Sequence, residues 1–143
     1  MFTNKKIIVG LSVLFVLLLA ACGAQGSDSN EVTITLTDFG MESSRTSFEV
    51  GVPYHFTVTN NGAINHEIMI MAPLTEMQMS MDMGMEEMDE MALAMIEEDE
   101  LTPGATMTLD YTFTEPAPDG TLEFACHVEG HYVAGMKLPI TVK

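Results

Sequence analysis

Near the carboxyl end the chain reads Phe124-Ala125-Cys126-His127-Val128-Glu129-Gly130-His131-Tyr132-Val133-Ala134-Gly135-Met136, which sets a thiol, an imidazole and a thioether at five-residue intervals. His66 stands far upstream, just after the turn-forming run Asn60-Asn61-Gly62. Two imidazoles, one thiolate and a weak axial thioether are the ligand set of a blue-copper centre. Thiolate softness favours Cu(I), imidazole tolerates both oxidation states, and a long thioether contact tunes the potential. The expected metal ligands are therefore His66, Cys126, His131 and Met136. The last three would share one loop between two strands, and His66 would arrive from a neighbouring strand. Taken singly, a buried cysteine is a small hydrophobe and a methionine is core filler; the joint spacing carries the metal reading. Zinc also accepts Cys and His, but one thiolate beside a thioether suits copper better.

Such ligands need a rigid frame, and the length allows one domain of about 110 residues with a modest core. Short alternating or β-branched runs predict strands over Glu31–Thr37, Ser47–Val50, Tyr54–Thr59, His66–Met71, Thr106–Thr114, Thr121–Ala125 and Lys137–Val142. Asn60-Asn61-Gly62, Pro103-Gly104 and Pro116-Ala117-Pro118-Asp119-Gly120 read as turns between them. Many short strands punctuated in this way indicate an all-β sandwich. Pattern alone does not choose among sandwich topologies.

Between Pro73 and Pro103 the β pattern stops, which marks an insertion at about residues 74–102. Residues 77–95 hold eight methionines interleaved with acids, and Met85 to Glu98 is made of strong helix formers. Met85, Met88, Ala92, Met95 and Ile96 fall on one helical stripe, as packing residues would. Met77, Met79, Met81 and Met83 recur every second residue, a spacing that cannot face one side of a helix. Soft thioethers suit Cu(I), so these four are candidate secondary Cu(I) ligands. Their other reading is an adaptable contact surface.

The amino terminus reads as a processing segment: Lys5 and Lys6, then an apolar run from Ile7 to Leu19. It closes on Leu19-Ala20-Ala21-Cys22, which resembles a bacterial lipobox. Residues 1–21 are thus expected to be a lipoprotein signal peptide and Cys22 the lipidated residue. Several buried acyl chains anchor far better than one. Residues 22–30 are small and polar, suited to a flexible tether, and the folded domain spans 31–143. With Cys22 acylated and Cys126 a ligand, no disulfide is expected. Removal of the leader leaves Arg45, Lys137 and Lys143 against 21 acids, a formal charge of −18. Such a surface excludes nucleic acid as a partner and steers basic proteins at salt-dependent rates.

The loop Cys-x4-His-x4-Met, with Phe-x-Cys-His-x-x-Gly-His-Tyr-x-x-Gly-Met around it, resembles the cupredoxin family, with the longer loop of its rusticyanin and auracyanin members. Val52-Pro53-Tyr54-His55-Phe56-Thr57-Val58-Thr59-Asn60-Asn61-Gly62, followed by Asn65-His66-Glu67, is similar to the family's first-histidine region. The resemblance covers roughly residues 31–143. It implies a Greek-key β-sandwich holding one type 1 copper at His66, Cys126, His131 and Met136. It also implies one-electron transfer near the exposed edge of His131; the acidic surface suits a redox partner such as a basic cytochrome or an oxidase, or a copper-loaded carrier. Glu67 departs from the Asn or Ser that several members carry after the first histidine.

The implied protein is an exported bacterial lipoprotein, anchored by lipid on the extracytoplasmic side of a membrane, and not an enzyme. The alternative function is extracytoplasmic copper capture and delivery to a copper acceptor through the Met-rich segment. A third reading is a copper-free binding module with Cys126 merely buried. Cys126-His127 with His131 and Met136 also resembles the last domain of multicopper oxidases. Their oxygen-reducing cluster needs His-x-His pairs, and the chain has four histidines and no such pair. His127 is therefore expected at the surface or in a hydrogen bond, and His55 packed or half-exposed within its strand. No nucleophilic triad, phosphate loop or paired catalytic carboxylates stand out, and the acids read as a solvated face.

Overall fold

A computed structural model describes residues 30–81 and 83–143. Residues 1–29, where the signal peptide, lipidated Cys22 and most of the tether are expected, lie outside the described residues. Among the described residues no helix is long and apolar enough to cross a membrane.

Alternation builds the first layer. In β1 (Glu31–Thr37) and β4 (Pro53–Asn60) every second side chain is buried, placing Val32, Ile34, Leu36, Tyr54, Phe56 and Val58 on one face. β1 lies parallel to β4, which pairs antiparallel with β7 (Thr106–Thr112); β2 (Gly40–Ser43) closes the other edge. The second layer runs β3 (Ser47–Phe48), β9 (Lys137–Val142), β8 (Ala117–Ala125), β5 (Ile68–Met71) and β6 (Ala94–Ile96). The two sheets face each other as the all-β, Greek-key sandwich expected. Phe48 sits at the centre of the core, its ring 4.9 Å from those of Tyr54 and Phe113, 5.8 Å from Phe56 and 5.9 Å from Phe124.

β5 is buried on both faces. Ile68 and Ile70 join the main core, while Met69 and Met71 point the other way and form a second cluster with Ala125 and Tyr132. Leu74, Met91, Ala92 and Met95 of the insertion pack against that cluster. The insertion is thus a lid on the outer face of β5 and β8, next to the strand that ends at Cys126.

Within it the helical content is smaller than the helix formers imply. Two five-residue helices form, α1 (Glu76–Ser80) and α2 (Met85–Asp89). The helix expected onward to Glu98 gives way to β6, which pairs Ile68 with Ile96 and buries Ile96 in the main core. Short isolated helices are marginal, and an open hydrogen-bonding edge on β5 outweighs propensity there. Strand boundaries also shift: β3 stops at Phe48 and β7 at Thr112, each two residues short of expectation. β8 begins at Ala117, so the Pro/Gly run expected as a turn is a strand carrying a register shift between Ala117 and Leu122. β5 begins at Ile68, which leaves His66 in the loop before the strand.

His55 is half-buried on β4, and its Nδ1 lies 2.5 Å from the Asp110 carboxylate on β7. That hydrogen bond raises its pKa.

Candidate metal centre

Two loops at one end of the sandwich build the site. The first is the β4–β5 connection. Asn60, fully buried at the end of β4, donates through Nδ2 to the carbonyls of Ile64 (2.8 Å) and Leu101 (2.7 Å), and its Oδ1 accepts from the Gly62 amide (2.8 Å). The His66 amide donates to the same Leu101 carbonyl, at 3.2 Å. One buried amide side chain therefore ties the loop to the segment before β7, and His66 is held to that same segment just ahead of β5. Asp38, in the β1–β2 turn, accepts from the Ala63 amide at 2.6 Å and lies 3.8 Å from His66 Nε2.

Gly62 fits against this pair because it lacks a side chain. A Cβ there would stand 2.2 Å from the Asp38 carboxylate oxygen and 2.9 Å from His66 Nε2. Gly62→Ala is therefore expected to cost about 1–3 kcal/mol through overpacking and to displace the His66 ring. Thermal unfolding of the metal-free protein and copper retention against a chelator should both fall. Unchanged values in both would show that this turn does not set the ring.

The second loop runs from Cys126 to Met136. The Cys126 amide donates to the Met136 carbonyl and the Met136 amide to the His131 carbonyl, both at 3.0 Å, while the His131 amide donates to Val128 at 2.8 Å. Gly130 and Gly135 take positive φ values of 83° and 102°, which let the loop close so tightly. These bonds bring both ends of the loop together and turn His131 back over the cysteine.

The result is a cluster of three ligand atoms. Cys126 Sγ lies 3.4 Å from His131 Nδ1 and 3.9 Å from His66 Nδ1. All three atoms fall within 4.8 Å of one another, and the two imidazole rings are 4.9 Å apart. His66 and Cys126 are fully buried, and His131 is half-buried. Met136 is fully buried and bonded through its backbone to Cys126 and His131.

Electrostatics prepares the donors unequally. Burial, followed by the neighbouring His131, lowers the His66 pKa, which keeps the imidazole neutral as metal ligation requires. Burial pushes the Cys126 thiol up to about 11, while the amides of Glu67 and Val128 pull against that by hydrogen bonding to the sulfur. A thiolate in so dry a place needs a cation beside it. The donor set, one sulfur with two imidazole nitrogens converging, fits a soft or borderline metal ion.

Three supports were hidden from sequence reading. Glu67 is buried and accepts from the His127 amide at 2.6 Å, which pins the residue after Cys126 to the residue after His66. Burial raises its carboxyl to about 7, opposed by that hydrogen bond. Tyr132, beside His131, donates to Glu123 (2.5 Å) and accepts from the Leu74 amide (3.2 Å), joining the ligand loop to the lid. His127 was expected at the surface or in a hydrogen bond. Its ring is instead buried, stacked on Tyr132 at 4.4 Å, and its Nε2 has no hydrogen-bond partner among the described residues. Burial lowers its pKa to about 4.

Of the four candidate secondary ligands, Met79, Met81 and Met83 line a groove together with His127, Val128 and Gly130 of the ligand loop. Met77 and Met79 are on α1, Met81 follows it in extended conformation, and all three are exposed; Met83 is half-buried.

No protein-family model matches the sequence, and no curated protein matches it. Solved structures do. Auracyanin from the photosynthetic bacterium Roseiflexus castenholzii superposes with a TM-score of 0.58 at 24% identity, over 80% of this chain and 98% of that one. Auracyanin B gives 0.60 at 17% identity, over 79% and 88% of the two chains. Rusticyanin from Thiobacillus ferrooxidans gives 0.54 at 18% identity, over 79% and 76%. The described domain has the cupredoxin fold, and its His66, Cys126 and His131 converge at one end of that sandwich.

Proposed function

We propose that this protein is a type 1 copper carrier that passes one electron at a time at the outer face of a membrane. The observation that carries the reading is the convergence of His66 Nδ1, Cys126 Sγ and His131 Nδ1 within 4.8 Å. Rusticyanin, one of the structures this chain superposes on, is a copper protein. Copper held by these three side chains, with Met136 as the weak fourth ligand, supplies a reversible Cu(II)/Cu(I) couple.

The residues divide the remaining work. Cys126 contributes the soft, strongly coupled donor, and the amides of Glu67 and Val128 steady its charge. His66, buried and neutral, closes the interior side. His131 is the half-buried ligand and offers an edge to a partner. Val133 on the same loop is exposed, as are Phe39 and Ile64, next to the hydrogen-bonded Asp38 and Ala63. These apolar side chains suit a brief docking contact, and the acidic surface suits a basic redox partner such as a cytochrome or an oxidase. No substrate is transformed, so the protein is a carrier and not an enzyme.

In this reading residues 1–21 are the export signal, lipidated Cys22 anchors the protein, residues 22–30 form the tether and 31–143 the working domain. Voltammetry of the copper-loaded protein tests it. A reversible one-electron wave, with electron exchange to a basic cytochrome that slows as salt rises, is expected. An irreversible wave with loss of copper on reduction would refute electron carriage.

A second reading, copper capture and delivery to an acceptor, is favoured by one observation: Met77, Met79 and Met81 are held out in solvent, at 72%, 47% and 59% exposure. Thioethers recruited for packing would be covered, as Met69 and Met71 are.

A further inference from the structure

The insertion and the ligand loop enclose a groove of about 160 Å³. One wall carries Met79, Met81, Met83 and Met88; the opposite wall carries His127 and Tyr132. We propose that this groove is a second Cu(I) site, built from the thioethers of Met79, Met81 and Met83 with the imidazole of His127, beside the primary centre. The assignment rests on the copper-capture reading and gives it a place and a ligand set.

Chemistry and position both support it. Thioether and neutral imidazole are donors that Cu(I) accepts, and a thioether needs no deprotonation to bind. His127 is 6% exposed, and its Nε2 is a buried polar atom without a partner among the described residues. Such an atom costs free energy unless something satisfies it. A metal ion bound in the groove that His127 lines would do so.

The groove is also constructed. Thr75 and Gln78 cap α1 reciprocally: the Gln78 amide donates to Thr75 Oγ1 at 3.3 Å, and the Thr75 amide to Gln78 Oε1 at 2.9 Å. Gln78 Nε2 reaches Met91 Sδ at 3.9 Å, and the Leu74 amide donates to Tyr132. α1 is thereby fastened to the packed methionines behind it and to the ligand loop in front. The division among the methionines follows. Met91 and Met95 pack against the second core cluster, whereas Met79 and Met81 face solvent at the groove.

Cu(I) titration of the whole protein under reducing conditions, against a competing Cu(I) chelator, tests the assignment. The wild type is expected to bind two equivalents. Met79→Leu/Met81→Leu/Met83→Leu, which keeps side-chain size at two exposed positions and one half-buried one, is expected to bind one. After reoxidation it should keep the visible absorption of copper at Cys126, which shows that the fold and primary centre are intact. His127→Phe, which preserves an aromatic ring against Tyr132, should lower the affinity for the second equivalent at least tenfold. One equivalent in the wild type would overturn both the groove and copper capture. Two equivalents in the triple variant at unchanged affinity would overturn the groove alone, as would a second affinity in His127→Phe equal to that of the wild type.

Discussion

Cys126→Ser is expected to abolish the intense visible absorption of the copper-loaded protein and to leave it nearly colourless. Oxygen is a harder donor than sulfur, and a serine hydroxyl at this site stays protonated where a thiolate would form. Loss of a supporting partner around a metal typically costs 10–100-fold in affinity, so loss of the central donor should cost more than about 100-fold. Stabilisation by bound metal follows the ratio of free metal to Kd, about 2.7 kcal/mol at a hundredfold excess. Copper should therefore raise the Tm of the wild type and barely move that of the variant. The metal-free fold should survive, because the substitution is nearly isosteric and the amides of Glu67 and Val128 remain to pair with the new oxygen. A coloured serine variant with wild-type copper stabilisation would place the metal elsewhere.

Phe48→Ala is expected to destabilise the metal-free protein by about 3–5 kcal/mol, the range for truncating a buried aromatic. Phe48 is 1% exposed and lies on β3, a strand of only two residues. It touches Tyr54 and Phe56 from one sheet, Phe113 just past β7, and Phe124 on β8, two residues before Cys126. No single neighbour can collapse into the space it leaves. Domains of this size hold about 5–15 kcal/mol in total, so Tm should fall by more than about 10 °C. Phe48→Leu should cost less than half as much. Urea unfolding checks both; a loss below about 1 kcal/mol for the alanine variant would mean that the rings are not the centre of the core.

Where burial on one face dictates a period of two, the strands could be read directly. Glu31–Thr37 and Lys137–Val142 coincide with β1 and β9 residue for residue. β2 gives no such signal: Gly40-Met41-Glu42-Ser43 has little β propensity and forms because β1 offers it an edge. β6 was obscured in the opposite way, since Ala94-Met95-Ile96 continues a run of helix formers and only pairing with β5 recruits it. The donors Cys126, His131 and Met136 could be proposed from one loop, because five-residue spacing is local information. The contacts that steady them join distant segments. Glu67 meets His127, Tyr132 meets Leu74, and Asn60 meets Leu101. A lone glutamate or asparagine carries no mark of a partner forty or sixty residues away, so its role emerges only when the sandwich brings the loops together.

Both proposed functions require one metal ion held between His66, Cys126 and His131, whose donor atoms converge within 4.8 Å. X-ray absorption at the copper edge of the loaded protein measures this directly. One short copper–sulfur contact with two imidazole nitrogens is the expected inner shell, and the sulfur contact should vanish in Cys126→Ser. An inner shell of oxygen and nitrogen alone in the wild type would contradict it.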